Sequence, residues 1–257
     1  MSEVFGSAYS DAYDATYRDK DYLAECNLVS HLLKVYADRP VRSILDLGCG
    51  TGNHVVPLTQ LGYEVVGIER SEEMLARARA KATKAFPNTP IEFHQGDIRT
   101  KDVGRQFDAA LMMFAVLGYQ QGNADVVAAL RTAHRHLRPG GLFIFDVWYG
   151  PAVLRERPSQ RVNVIPTPNG KLLRVASGTI DSGRHLCTVD YHLWHITEGQ
   201  SVAETQESHT MRYFFPRELD LFLETARLAP LRLGVFMDFE RDPDDSTWNV
   251  MGVARAV

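Results

Sequence analysis

The sequence predicts an α/β fold, a largely parallel sheet with helices on both faces and an inserted antiparallel β elaboration. Three observations carry this expectation. Short apolar runs alternate with helical stretches from Val41 to about Trp148, as βαβ units do. The first run, Ile44-Leu45-Asp46-Leu47, passes directly into Gly48-Cys49-Gly50-Thr51-Gly52, which reads as a buried strand entering a tight glycine turn. After Trp148 the texture changes to apolar–polar alternation broken by turn residues, the signature of antiparallel strands.

Composition sets the bounds. The chain has 257 residues, 45% hydrophobic and 23% charged, enough for one domain with an elaboration. Its 28 basic and 32 acidic residues leave a net charge of −4, and the densest basic run, Arg77 to Lys84, falls along one helix as a solvated face. Nucleic acid is therefore not an expected partner. Cys26, Cys49 and Cys187 lie far apart without the paired spacing of a zinc site, so neither a disulfide nor a metal is expected. With no basic-then-apolar leader and no run near the roughly 18 apolar residues of a membrane span, the expected location is cytoplasmic, with no membrane partner.

The elements then follow in order. Residues 1–40 read as an N-terminal helical cap: Tyr9, Tyr13 and Tyr17 recur four apart and would share a helix face, and a second helix from Tyr22 to Ala37 ends at Arg39-Pro40. Residues 41–150 read as the core. Strand one runs to Cys49, a helix spans about Gly52 to Leu61, and strand two ends at Glu69. Ser71 caps the next helix, and Glu72-Glu73 suit the positive end of its dipole. Strands at Ile91–His94, Ala109–Phe114 and Leu142–Trp148 surround a helix from Ala124 to His136. Residues 151–215 read as the inserted antiparallel subdomain, with strands between Arg161 and Phe215 and turns at Pro168-Asn169-Gly170, Asp181-Ser182-Gly183-Arg184 and Glu198-Gly199-Gln200. Residues 216–257 supply a helix from Pro216 to about Arg227 and strands near Leu231–Phe239 and Val250–Val257, which complete the core sheet.

The glycine turn carries the first chemistry. Glycines there can take positive φ and bring the main chain against a small molecule, while the amides of the next helix face the same space. Gly48, Gly50 and Gly52 recur every second residue, unlike the dinucleotide pattern G-x-G-x-x-G, and the Lys-Ser/Thr of a phosphate-cradling loop is absent. Neither a nicotinamide dinucleotide nor a nucleoside triphosphate is expected.

Asp46-x-Gly48-x-Gly50-x-Gly52 resembles motif I of the class I S-adenosylmethionine-dependent methyltransferases. Four further landmarks follow in that family's order: Val65-Val66-Gly67-Ile68-Glu69, Gly96-Asp97-Ile98, Phe107-Asp108-Ala109-Ala110-Leu111-Met112-Met113, and Leu137-Arg138-Pro139-Gly140-Gly141. The resemblance implies a Rossmann-like class I methyltransferase sheet binding S-adenosyl-L-methionine and releasing S-adenosyl-L-homocysteine. It implies that Gly48, Gly50 and Gly52 contact the methionine portion, Glu69 the ribose, and Asp97 and Ile98 the adenine. Met113 would line the cofactor floor, and Asp46 would orient the loop from behind.

Within that class, Met113-Phe114-Ala115-Val116-Leu117-Gly118-Tyr119 resembles the segment after strand four of the TDP-3-aminosugar N,N-dimethyltransferases. Tyr13-Asp14 and Asp19-Lys20-Asp21-Tyr22 resemble their N-terminal pattern, which places Tyr13 and Tyr22 with the cofactor. Asp146-Val147-Trp148 parallels their Pro-Trp-Trp region, and Glu207-Ser208-His209 with Phe214-Phe215 a later strand. Phe5 stands where that subfamily has a tyrosine, and Trp248 about where it has a basic residue. Tyr119, just past strand four, is the candidate to hydrogen-bond the acceptor, and His209 a candidate base or positioning group; these two are the expected catalytic residues. The inserted strands would form the acceptor pocket's wall or a homodimer contact.

The expected function is methyl transfer to a small-molecule acceptor, foremost N-methylation of a nucleotide-linked amino sugar such as a TDP-amino sugar. Two alternatives stand beside it: a methyltransferase for another small-metabolite amine, hydroxyl or carboxyl group, and a non-catalytic domain that keeps the fold as a binding scaffold. Met112-Met113-Phe114-Ala115 lacks the Asn/Asp-Pro-Pro motif of nucleic-acid methyltransferases.

Overall fold

A computed structural model describes residues 20–167, 170–197 and 202–257. The elements run α1 (Tyr22–Tyr36), β1 (Ser43–Leu47), α2 (Val55–Gln60), β2 (Glu64–Glu69), α3 (Glu72–Ala85), β3 (Glu92–Gln95), β4 (Phe107–Met112), α4 (Asn123–Arg135), β5 (Leu137–Trp148), α5 (Gly150–Glu156), β6 (Arg161–Thr167), β7 (Gly170–Asp181), β8 (Leu186–Thr197), β9 (Val202–Arg212), α6 (Pro216–Thr225), β10 (Leu228–Val235) and β11 (Asn249–Ala256). A short 3₁₀ turn, Val116–Tyr119, follows β4.

Seven strands form the main sheet in the order β10-β11-β5-β4-β1-β2-β3. The β3, β2, β1, β4 and β5 neighbours pair in parallel, and only β11 runs against them. All five residues of β1 and all six of β4 are buried, because helices cover both faces. One face packs Leu45, Phe143 and Phe145 against α4 and α6; the other packs Ile44, Leu111 and Ile144 against α1, α2 and α3. Asp108 ties the entry of β1 to β4: its Oδ2 accepts from the main-chain N–H groups of Arg42 (2.9 Å) and Ser43 (3.1 Å), and Arg138 pairs with its other oxygen. The expected cap of α3 is present, with the Ser71 hydroxyl accepting from Met74 N–H at 3.3 Å.

The strands β6, β7, β8 and β9 form a second, wholly antiparallel sheet. It joins the first through a bridge between Tyr149 and Phe214, and through a cluster in which Val153, Cys187 and Tyr213 pack with Trp148 and Trp248. The Asp181–Arg184 turn signal lies at the β7–β8 tip, where Arg184 N–H donates to Asp181 Oδ1 at 3.0 Å. The Glu198–Gln200 turn and the first two residues of the Pro168–Gly170 turn fall outside the described residues.

Several boundaries differ from expectation. Strand β4 stops at Met112 because Phe114 and Ala115 turn left-handed (φ +69° and +54°) into the 3₁₀ turn. Helix α2 begins at Val55, after Asn53 and His54 continue the turn past Gly52. Strand β5 starts at Leu137, ahead of the Pro-Gly-Gly stretch, and a short helix at Gly150–Glu156 was not anticipated. The bulky Leu231–Phe239 stretch is cut at Val235 by a turn in which Met237 has φ +68°.

Candidate active site

The glycine turn fixes one end of the site. Gly48, Gly50 and Gly52 all have positive φ (+83°, +54° and +78°), which a side chain would strain. A Cβ on Gly48 would lie 2.7 Å from a methyl of Val116, so the turn touches the segment after β4, whereas one on Gly52 would press Ala78 of α3 at 3.2 Å. Gly48 and Cys49 N–H groups donate to the Ile68 carbonyl at 2.8 and 3.0 Å, tying the turn to β2. At the end of β2, Glu69 is held by the main chain: one carboxylate oxygen accepts from Gly50 N–H at 3.1 Å, the other from Arg70 and Ser71 N–H at 2.7 and 2.9 Å. The carboxylate is thereby fixed at the mouth with acceptor capacity to spare.

Asp97 is gripped by Arg99, whose Nε donates to both carboxylate oxygens at 3.0 and 3.1 Å. That side-chain hydrogen bond outweighs partial burial and holds the Asp97 carboxyl below the usual carboxylate range. Arg99 also reaches Asp125 at 2.7 Å, linking this edge of the site to α4.

At the far end, Tyr119 Oη and His209 Nδ1 are 3.0 Å apart, joining the 3₁₀ turn to β9 across 90 residues of sequence. His209 is paired with Val189 in the β8–β9 ladder, Tyr191 meets its ring edge-on at 5.5 Å between centroids, and Glu207 Oε2 lies 3.5 Å from its Nε2. Burial, with a smaller contribution from the charge of Arg174, lowers the imidazole pKa to about 4, so the ring is neutral at physiological pH.

One cavity of about 1020 Å³ joins the two ends. Of the residues expected at the site, Tyr22, Gly48, Gly50, Glu69, Asp97, Ile98, Met113, Tyr119 and His209 all line it. Asp46 and Gly52 do not. Asp46 lies buried behind the turn, and Gly52 serves the packing of the turn on α3. Tyr13 lies outside the described residues. The wall opposite the glycine turn comes from β8 and β9 through Val189, Tyr191, His209 and Met211.

Sequence reasoning missed a buried polar cluster at the mouth. Glu25 of α1 bonds Lys20 Nζ at 2.9 Å and His54 Nε2 at 2.8 Å. Burial pushes the Glu25 carboxyl up, but the His54 hydrogen bond and the Lys20 charge together bring it below its ordinary value. Lys20 also sits 3.8 Å from the centre of the Phe114 ring, a cation–π contact. A glutamate directly before Cys26 and four residues before Val29, on the inward side of α1, was the available signal. Asp146, at the end of β5, is buried and lines the cavity; burial raises its pKa to about 6, and likewise that of Asp46.

A sheet of this order, with a glycine turn after β1 and an acid closing β2, defines a Rossmann-like methyltransferase architecture, and residues 44–141 match the family model described as a methyltransferase domain. Residues 44–141 thus carry a methyltransferase domain, and in fold the chain is similar to the class I S-adenosylmethionine-dependent methyltransferases. It is 36% identical over 145 residues to the dTDP-3-amino-3,4,6-trideoxy-α-D-glucopyranose N,N-dimethyltransferase of Streptomyces venezuelae, a match covering 56% of this chain and 58% of that protein. A second relative, the dTDP-3-amino-3,6-dideoxy-α-D-glucopyranose N,N-dimethyltransferase of Streptomyces fradiae, is 26% identical over 88% of this chain and 85% of its own length. Among solved structures, Streptomyces venezuelae DesVI superposes with a TM-score of 0.78 at 26% identity, covering 95% of this chain and 97% of that one. Among the described residues no helix is long and apolar enough to cross a membrane, and no group of side chains is arranged to hold a metal.

Proposed function

We propose that this protein transfers a methyl group from S-adenosylmethionine to the amine of a nucleotide-linked amino sugar. The observation that carries the reading is the continuous cavity between the glycine turn and the Tyr119–His209 pair, walled on the acceptor side by β8 and β9. The names of the two dimethyltransferase relatives supply the class of acceptor.

The residues fit the cofactor. Glu69 offers a fixed carboxylate for two ribose hydroxyls, Asp97 and Ile98 a polar and an apolar contact for adenine, and the left-handed glycines a surface without side chains for the methionine portion. Tyr22 and Met113 complete the lining on the α1 and β4 sides. Bound S-adenosylmethionine supplies an electrophilic methyl carbon on a sulfonium. The chain's own part is then alignment and exclusion of water rather than covalent chemistry.

The acceptor end favours an amine. A neutral amine attacks through its lone pair and needs no strong base, whereas a hydroxyl must lose its proton during attack. With its pKa near 4, His209 is a poor proton acceptor at neutral pH; it holds the Tyr119 hydroxyl instead, and that hydroxyl is placed to orient the acceptor. A second reading, a small amine without a diphosphate, draws support from Trp248. Its ring meets Trp148 edge-on at 5.9 Å where the resembling subfamily carries a basic residue.

The test is to incubate the purified protein with S-adenosylmethionine and either dTDP-3-amino-3,4,6-trideoxyglucose or its 3-hydroxy counterpart, and to count added methyl groups by mass spectrometry. N-methylation of the amino compound alone is expected. Methylation of only the hydroxy compound would overturn the reading; methylation of small amines but neither sugar nucleotide would favour the second.

A further inference from the structure

Among the described residues, the buried polar cluster beside the glycine turn holds more acid than base. Three buried carboxylates, Glu25, Asp46 and Asp146, share this region with Lys20 and His54, and both basic side chains are bonded to Glu25. Asp46 lies behind the glycine turn and does not line the cavity. Asp146 does. Its Oδ2 accepts from Ala115 N–H at 3.0 Å, a donor turned toward it by the left-handed pair Phe114 and Ala115. Its Oδ1 is buried and has no hydrogen-bond partner among the described residues. Two residues on, Trp148 also lines the cavity, and Val116, next to Ala115, contacts Gly48. Asp146 therefore belongs to the stretch of wall where the glycine turn meets the segment after β4.

We propose that Asp146 is the receptor for a primary alkylammonium group where the glycine turn meets the segment after β4, its Oδ1 accepting an N–H while its charge balances the cation. A hydroxyl could satisfy the hydrogen bond but would leave the local excess of negative charge uncompensated. An ammonium supplies both, with further N–H donors to spare. Burial of Asp146 already presses against its ionisation, and an adjacent cation relieves that pressure. Resting on the reading of the site given above, this chemistry has two sources, the α-ammonium of the cofactor and the acceptor amine as it first binds, protonated, before it gives up that proton and attacks as the neutral amine. In either case Asp146 is a binding and positioning residue.

The substitution Asp146→Asn keeps the shape and an oxygen for Ala115 N–H while removing the charge. Calorimetry would compare S-adenosylhomocysteine with its analogue lacking the α-amino group, on both proteins. If Asp146 receives the cofactor ammonium, the wild type prefers the amino compound at least tenfold, the variant loses that preference, and affinity for the des-amino analogue is unchanged, which shows that the variant is folded. If it receives the acceptor, the cofactor preference survives. The variant then binds dTDP-3-amino-3,4,6-trideoxyglucose at least tenfold more weakly and the 3-hydroxy compound equally well. Retention of every preference that the wild type shows overturns the proposal. A protein that binds neither sugar nucleotide refutes the proposed acceptor, and the cofactor comparison alone then decides the role of Asp146.

Discussion

The two ends of the cavity are built differently. At the glycine turn the groups that face a ligand are set by main chain and by neighbours close in sequence: Glu69 takes its N–H donors from Gly50, Arg70 and Ser71, and Asp97 is held by Arg99. At the far end the central contact joins Tyr119 of the 3₁₀ turn to His209 of β9, 90 residues apart, and His209 is placed by the β8–β9 ladder. A site for an invariant molecule can be written locally. A site for a variable one is assembled from an insertion that can change without disturbing the turn.

The largest effect should break the locally built end. In Gly48→Ala a side chain must accept φ +83° and place its methyl against Val116. Affinity for S-adenosylhomocysteine should fall at least about a hundredfold, since left-handed strain alone costs roughly 1–2 kcal/mol and the overlap adds to it. Gly50→Ala sharpens the contrast: its φ is +54° with nothing among the described residues within 4 Å of the added carbon, so its loss should be several-fold smaller in calorimetric titration. Equal losses would show that strain, not the contact with Val116, sets the requirement.

Glu69→Ala comes next. Removing a charge-assisted contact should weaken S-adenosylhomocysteine by about 1.5–3 kcal/mol, roughly ten- to a hundredfold, with a smaller change in unfolding free energy. An unchanged dissociation constant would remove Glu69 from the ribose. At the opposite end, Tyr119→Phe should reduce kcat by about one to two orders of magnitude, the worth of one aligned hydrogen bond of about 1–3 kcal/mol. Cofactor affinity should be nearly intact; a joint loss of both would mean that the two ends are not separable.

The same division decided what the sequence could show. The order of the core strands, the cap at Ser71 and the turn at Gly48 follow from local pattern, because apolar period and glycine conformation act within a few residues. Asp146 lies in the Asp146-Val147-Trp148 segment, yet its isolation as a buried carboxylate depends on Ala115 and on strand pairing with Met251, which no spacing reveals. His54 and Glu25, 29 residues apart, meet only because α1 crosses the start of α2. The expectation that the inserted strands border the cavity followed from their place in the chain, and β8 and β9 do line it; which of their histidines would face Tyr119 depended on register. His192 and His195 share those strands but are not part of the lining. Strand β4 was read two residues too long because Met113 and Phe114 continue its apolar run, and tertiary contacts, including the Asp146 carboxylate on Ala115 N–H, hold Phe114 and Ala115 left-handed.

The smallest expected effect is a pH dependence that belongs to the far end alone. His209 has a folded pKa of about 4, below the ordinary value near 6.5, so between those limits the unfolded chain binds a proton that the native ring does not. Its contribution to stability is complete above about pH 6.5 and is lost as pH falls toward 4. Asp46 and Asp146 act in the opposite sense: with folded pKa values near 6, the native state holds protons that the unfolded chain releases above about pH 4, so stability falls as pH rises through that interval. The wild-type profile therefore mixes two trends, and His209→Gln separates them. Chemical denaturation at pH 7 and pH 5 should show the wild type losing on the order of 1–2 kcal/mol more than the variant on acidification, a fraction of the roughly 3 kcal/mol that the full pKa difference would allow. Parallel profiles would place the imidazole in contact with water and in exchange with its proton. The Tyr119–His209 pair would then be an acid–base couple, and the functional contrast between the two ends would fail at the residue on which it most depends.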